Sequence, residues 1–104
     1  MALGLFSKKD INQGVQEWKA TRGAILLDVR SREEYRERHI EGSVNLPLNE
    51  LEQVSKTIPD KSTPIFVHCL SGGRSANAEH FLKKAGYQTV KNIGGISSYQ
   101  GKTI

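Results

Sequence analysis

A lone cysteine, Cys69, is separated from Arg74 by Leu70, Ser71, Gly72 and Gly73, and Ser75 follows at once. An apolar run ending in His68 precedes this segment and a helical periodicity follows it, which makes it a turn between a strand and a helix. Such a turn suits an anion. A helix N-terminus presents unpaired N–H groups and a partial positive charge, and glycines let successive amides point inward as a nest. A cysteine here is pushed toward its thiolate. At a pKa of about 8.5 only about 3% of a free thiol is ionised at pH 7, whereas a shift of about two units makes it about three-quarters ionised. Cys69 then serves as a nucleophile without a neighbouring base. The competing view, that it is a small buried apolar side chain, explains neither the glycine pair nor the arginine at the helix entrance.

The elements on either side must aim this turn. Pro64-Ile65-Phe66-Val67-His68 reads as a buried strand, with Pro64 tolerated at its first residue. Ala78, Phe81, Leu82 and Ala85 repeat at helical spacing, so a helix is expected over about Arg74 to Ala85, closed by Gly86. Ala24 to Val29 is a second continuous apolar run, the form of a strand covered on both faces. It leads into a helix over about Ser31 to Arg38, started by a Ser31/Glu34 capping box, with Glu33/Arg36 and Glu34/Arg38 as solvated pairs. Upstream, Ile11, Val15 and Trp18 mark a helix capped by Asp10, with Gly14 a cost of about 1 kcal/mol inside it. Ser43 to Leu46 reads as a short strand ending at Pro47, and Asn49 as the cap of a short helix carrying Leu51 and Val54. A last strand near Gln88 to Lys91 precedes a Gly94-Gly95 turn. The alternation predicts an α/β fold over residues 1–104 as one domain, with a central, mostly parallel sheet and helices on both faces.

Composition narrows the possible functions. The chain has 104 residues, 37% hydrophobic and 25% charged, the balance of one soluble domain and not of a disordered chain. Its 15 Lys and Arg against 11 Asp and Glu give +4, but the cations are scattered and form no stripe for nucleic acid. Lys8-Lys9 reads as solvated surface. One cysteine excludes an internal disulfide, and no Cys/His spacing suits zinc. No metal or cofactor is implied. Met1 to Phe6 is apolar but too short for a secretory segment, and no run approaches the roughly 18 apolar residues of a membrane span. The expectation is a cytoplasmic protein with no membrane partner.

Several motifs in one order complete the reading: Leu26-Leu27-Asp28-Val29-Arg30 with Glu33-Glu34-Tyr35, His39-Ile40-Glu41-Gly42-Ser43 with Asn45-Leu46-Pro47-Leu48, Cys69 to Ser75, and Asn92-Ile93-Gly94-Gly95-Ile96. Across Ala24 to Tyr99 the chain resembles a single-domain rhodanese of the thiosulfate sulfurtransferase family. The resemblance implies a rhodanese-like fold and a Cys69 persulfide that accepts sulfane sulfur from thiosulfate or a persulfide donor. The sulfur then passes to a thiol or to cyanide. A protein donor or acceptor is an alternative partner. It further implies that Leu70, Ser71, Gly72, Gly73, Arg74 and Ser75 bind the substrate, with Arg74 on the anionic donor. Asp28, Arg30 and His39 are expected to support the fold, His68 to be packed on the far side of the strand from the thiol, and His80 to lie at the surface. Tyr99 stands where the family often carries a tryptophan. Arg74 is the loop's only cation, which leaves free thiosulfate weakly held and makes a protein or small-molecule persulfide an alternative donor. The alternatives are a phosphatase or arsenate reductase, whose loop in this fold holds one more residue between cysteine and arginine, and a non-catalytic interaction module.

Overall fold

Four short strands pair side by side in the order β2-β1-β3-β4, every pair parallel. They are β1 (Ile25–Asp28), β2 (Val44–Asn45), β3 (Ile65–Cys69) and β4 (Val90–Gly95) in a computed structural model that describes residues 9–104. The expectations on Met1 to Phe6 and on Lys8 fall outside those residues. The helices are α1 (Ile11–Ala20), α2 (Arg32–Glu37), α3 (Val54–Thr57) and α4 (Gly73–Lys84), with 3₁₀ turns at Leu48–Gln53 and Ile96–Ser98. No described helix is long and apolar enough to cross a membrane.

Both faces of the sheet are covered, because alternate strand residues point to opposite sides. On one face Leu27, Val67 and Cys69 pack with Ala78 and Leu82 of α4 and with Leu51, Val54 and Ile58. On the other, Leu26, Phe66 and Ile93 meet Ile11 and Val15 of α1, with Trp18 and Tyr99 at the margin. Gly14 belongs to this second contact: a Cβ there would lie 2.4 Å from Ile93 Cβ. The helix accepts a poor helix former because the sheet approaches too closely for any side chain.

Three local expectations are corrected. Asn49 caps nothing; the segment starts as a 3₁₀ turn behind Pro47, whose fixed φ prepares the first turn without a side-chain cap. Phe81 is exposed, and the buried face of α4 is carried by Ser75, Ala78 and Leu82. The final strand does not stop at Lys91, and Gly94-Gly95 is not a turn. The strand runs on to Gly95 and carries a bulge of its own: Val67 pairs with Asn92 and His68 with Gly94, so Ile93 is the extra residue, beside a positive φ of 106° at Gly94.

Buried polar groups fasten α2 to the sheet. Asp28 is fully buried and Arg30 is 3% exposed; the Arg30 Nη2 donates to Asp28 Oδ2 at 2.8 Å and to the Arg38 carbonyl at 2.8 Å. Its Nη1 reaches the Glu34 carbonyl at 3.4 Å. Arg30 thus satisfies carbonyls at the C-terminal end of α2 while neutralising Asp28. At the other end the Ser31/Glu34 capping box is complete. His39 stacks on Tyr35 and contacts the Tyr35 carbonyl through Nδ1 at 2.8 Å, a supporting place in the fold.

Candidate active site

Cys69 is the last residue of β3, the strand flanked by β1 and β4. Its Sγ faces α4 and is covered by the turn that follows; the residue is 1% exposed. Two backbone N–H groups point at the sulfur, from Gly72 at 3.0 Å and Ser75 at 3.4 Å, and the Ser75 hydroxyl lies 3.4 Å away. Burial pushes the Cys69 thiol up, but the Ser75 hydroxyl and the Ser75, Gly72 and Ser71 amides together outweigh it, so its pKa falls below the ordinary cysteine value. The nest exists, and it acts on the sulfur itself.

The two glycines are not equivalent. Gly72 has φ +108°, a conformation that side chains rarely adopt, whereas Gly73 begins the helix and has open space where a Cβ would stand. Leu70 and Ser71 are exposed, and the Leu70 carbonyl accepts from Ser97 N–H at 3.0 Å. Ser75 is fully buried. Its hydroxyl has one proton and four neighbouring acceptors: Asn92 Oδ1 at 2.7 Å, the Gly72 carbonyl at 3.1 Å, and Cys69 Sγ and the Gly94 carbonyl at 3.4 Å. Asn92 also accepts from Gly94 N–H at 3.0 Å. It ties β4 to the start of α4, a place that its motif in the sequence did not reveal. Gly95 has a comparable duty, since a Cβ there would fall 2.1 Å from the Leu70 carbonyl oxygen.

Arg74 departs most from expectation. Its guanidinium does not stand free over the loop; both terminal nitrogens donate to Glu34, Nη1 to Oε1 at 2.7 Å and Nη2 to Oε2 at 3.0 Å. Through the Arg74 hydrogen bond above all, the Glu34 carboxyl is held at about 2, and Glu34 in turn raises Arg74. Glu34 therefore spends its charge on a residue forty positions away and not on Arg38, whose Nη2 reaches the Ile96 carbonyl at 3.4 Å. Spacing within one helix could not expose that contact.

His68 is packed and fully buried, with Nδ1 3.1 Å from the Cys69 carbonyl and Nε2 3.6 Å from Asp28 Oδ2. Burial lowers its pKa, so the ring is neutral at pH 7. It lies on the side of the sheet away from the thiol. His80 is exposed.

Residues 7–102 match the Rhodanese-like domain family. The chain belongs to that family. Among related rhodanese-like proteins, the thiosulfate sulfurtransferase PspE of Escherichia coli (strain K12) is 38% identical over 71 residues, 67% of this chain and 68% of that one. A putative sulfur carrier protein, YrkF of Bacillus subtilis (strain 168), is 39% identical over 79 residues, 75% of this chain and 42% of that one. A solved rhodanese with anions from E. coli superposes with a TM-score of 0.72 at 33% identity, covering 78% of this chain and 96% of the other. The rhodanese fold is thus shared, with an all-parallel sheet and helices on both faces.

Proposed function

We propose that this rhodanese-like protein is a sulfurtransferase in which Cys69 carries sulfane sulfur as a persulfide between a donor and a thiol or cyanide acceptor. The observation that carries the reading is the convergence of the Gly72 and Ser75 N–H groups on Cys69 Sγ. Rhodanese-type sulfur transfer is also what the names of related proteins, thiosulfate sulfurtransferase and sulfur carrier, support.

With thiosulfate the step balances simply. The Cys69 thiolate attacks the sulfane sulfur, an S–S bond forms to Cys69, the donor's S–S bond breaks, and sulfite leaves with the electron pair. The persulfide keeps one negative charge, which the loop N–H groups stabilise as they stabilise the thiolate. An acceptor thiolate or cyanide then attacks the terminal sulfur and returns Cys69 as thiolate. No general base is needed at either step.

Intact-mass measurement after incubation with thiosulfate, followed by peptide mapping, tests the reading. The expected result is a gain of one sulfur on Cys69, discharged by cyanide. Cys69→Ser should show neither gain nor turnover while keeping the wild-type circular dichroism spectrum, because serine fits the site and cannot form a persulfide. Transfer by that variant would end the proposal.

A further inference from the structure

The bidentate pair Glu34–Arg74 changes what the loop can recognise. Arg74 also borders a cleft of about 640 Å³ beside the carboxyl end of β1, walled by Val29, Pro47 and Leu48. The other cation on that cleft, Arg32, is paired with Glu50, and Glu33 lies on the same lining. Counting Glu34, two guanidinium groups face three carboxylates, so the cleft is slightly negative although the chain as a whole is positive. A free dianion gains little there and must compete with Glu34 for Arg74. An organic group gains the apolar wall.

We propose that Glu34 is a specificity-determining residue: by holding Arg74 in a neutral pair it turns the site away from doubly charged inorganic donors and toward donors of lower charge whose organic part lies along Val29, Pro47 and Leu48. The inference rests on the sulfur-transfer reading above. Glu34 is itself fixed twice, by the capping box at Ser31 and by the carbonyl of its own residue on Arg30, so the pair is built into the frame. With its carboxyl at about 2, Glu34 stays charged throughout the working pH range.

Glu34→Gln tests this cleanly, since glutamine also completes a capping box but carries no charge. Two donors are compared with cyanide as acceptor: thiosulfate, with two negative charges, and an arenethiosulfonate, with one. Removing the carboxylate should raise kcat/KM about fivefold for thiosulfate and about twofold for the thiosulfonate, mostly through KM, as expected for a partly exposed charge pair. High salt should erase both gains. Leu48→Ser should raise KM for the thiosulfonate more than for thiosulfate. Equal responses of the two donors in both variants would overturn the proposal. A second arm uses inert sulfate and the Arg74 guanidinium resonances in Cys69→Ser protein, with and without Glu34→Gln. Tighter sulfate binding in the glutamine protein supports the proposal, and equal binding overturns it. Absence of sulfur transfer from either donor in the wild type would remove the sulfurtransferase reading, while the sulfate arm still decides whether Glu34 screens Arg74 from anions.

Discussion

At the scale of single residues, the chemistry turns on which groups spend hydrogen bonds on one sulfur. Burial alone would raise the Cys69 pKa; the Ser75 hydroxyl and three amides reverse that. Thiolate reactivity should therefore rise with pH through a midpoint below that of an ordinary cysteine. Ser75→Ala should move the midpoint upward, because it deletes a donor and leaves the burial, and iodoacetamide alkylation rates against pH will show it. A midpoint unchanged by the substitution would mean that the amides act alone. Stability is linked in sign: a depressed folded-state pKa favours the fold above the unfolded cysteine's pKa, and that contribution disappears as pH falls through the folded value. That Cys69 and Arg74 lie on one short turn is legible in the sequence; that Arg74 turns to Glu34 is not. The duties of Glu34, Asn92 and Gly95 are hidden because they depend on contacts across the fold: a carboxylate meeting Arg74, an amide meeting Ser75, and a missing Cβ beside Leu70.

At the scale of elements, glycines show which local rules give way to packing. Gly72 and Gly73 look alike in sequence, yet only Gly72 has a positive φ. Gly73→Ala should keep activity near wild type, since its Cβ meets open space and its N–H is retained, whereas Gly72→Ala should lose about five- to thirtyfold in sulfur transfer through loop strain of about 1–2 kcal/mol. Parallel thiosulfate-to-cyanide assays decide it, and matching activities would show that the nest tolerates a side chain at either position. Gly14 gives the converse case, a helix former improved at the cost of its contact. Gly14→Ala gains about 1 kcal/mol of helix propensity but places a methyl group 2.4 Å from Ile93 Cβ, so α1 must move off the sheet. A net loss of about 1–2 kcal/mol in urea unfolding is expected; a stabilised variant would show that α1 rides loosely. Strands, α1, α2 and α4 could be read from periodicity and caps. The end of β4 could not, because two adjacent glycines read as a turn unless the bulge at Ile93 and their pairing with His68 and Cys69 are known.

At the scale of the molecule, the size of the loop is set by what clamps its two ends. β3 is held between β1 and β4, and α4 is fixed at its start by Ser75 on Asn92 and along its length by Ala78 and Leu82. Leu70 packs against Gly95, where no Cβ would fit, and its carbonyl is held by the Ser97 N–H. The four residues between Cys69 and Arg74 must therefore close a ring whose N–H groups already reach the sulfur at 3.0 and 3.4 Å. One terminal persulfide sulfur suits a ring of that size. A phosphoryl group brings three equatorial oxygens, each needing a donor in the transition state, and a ring already closed on one sulfur is expected to be too tight for them. The wild type should accordingly transfer sulfur from thiosulfate to cyanide and leave an aryl phosphate intact. One glycine inserted between Gly73 and Arg74 falls in the first turn of α4; with Ser75 anchored on Asn92, the added residue should displace Gly73 from the helix and widen the loop. That variant should lose sulfur transfer by at least tenfold and gain measurable aryl phosphate hydrolysis, read in parallel assays on protein shown by circular dichroism to be folded. A wild type that hydrolyses the phosphate ester, or a folded insertion variant that keeps full sulfur transfer, would show that selectivity does not reside in the size of the clamped loop.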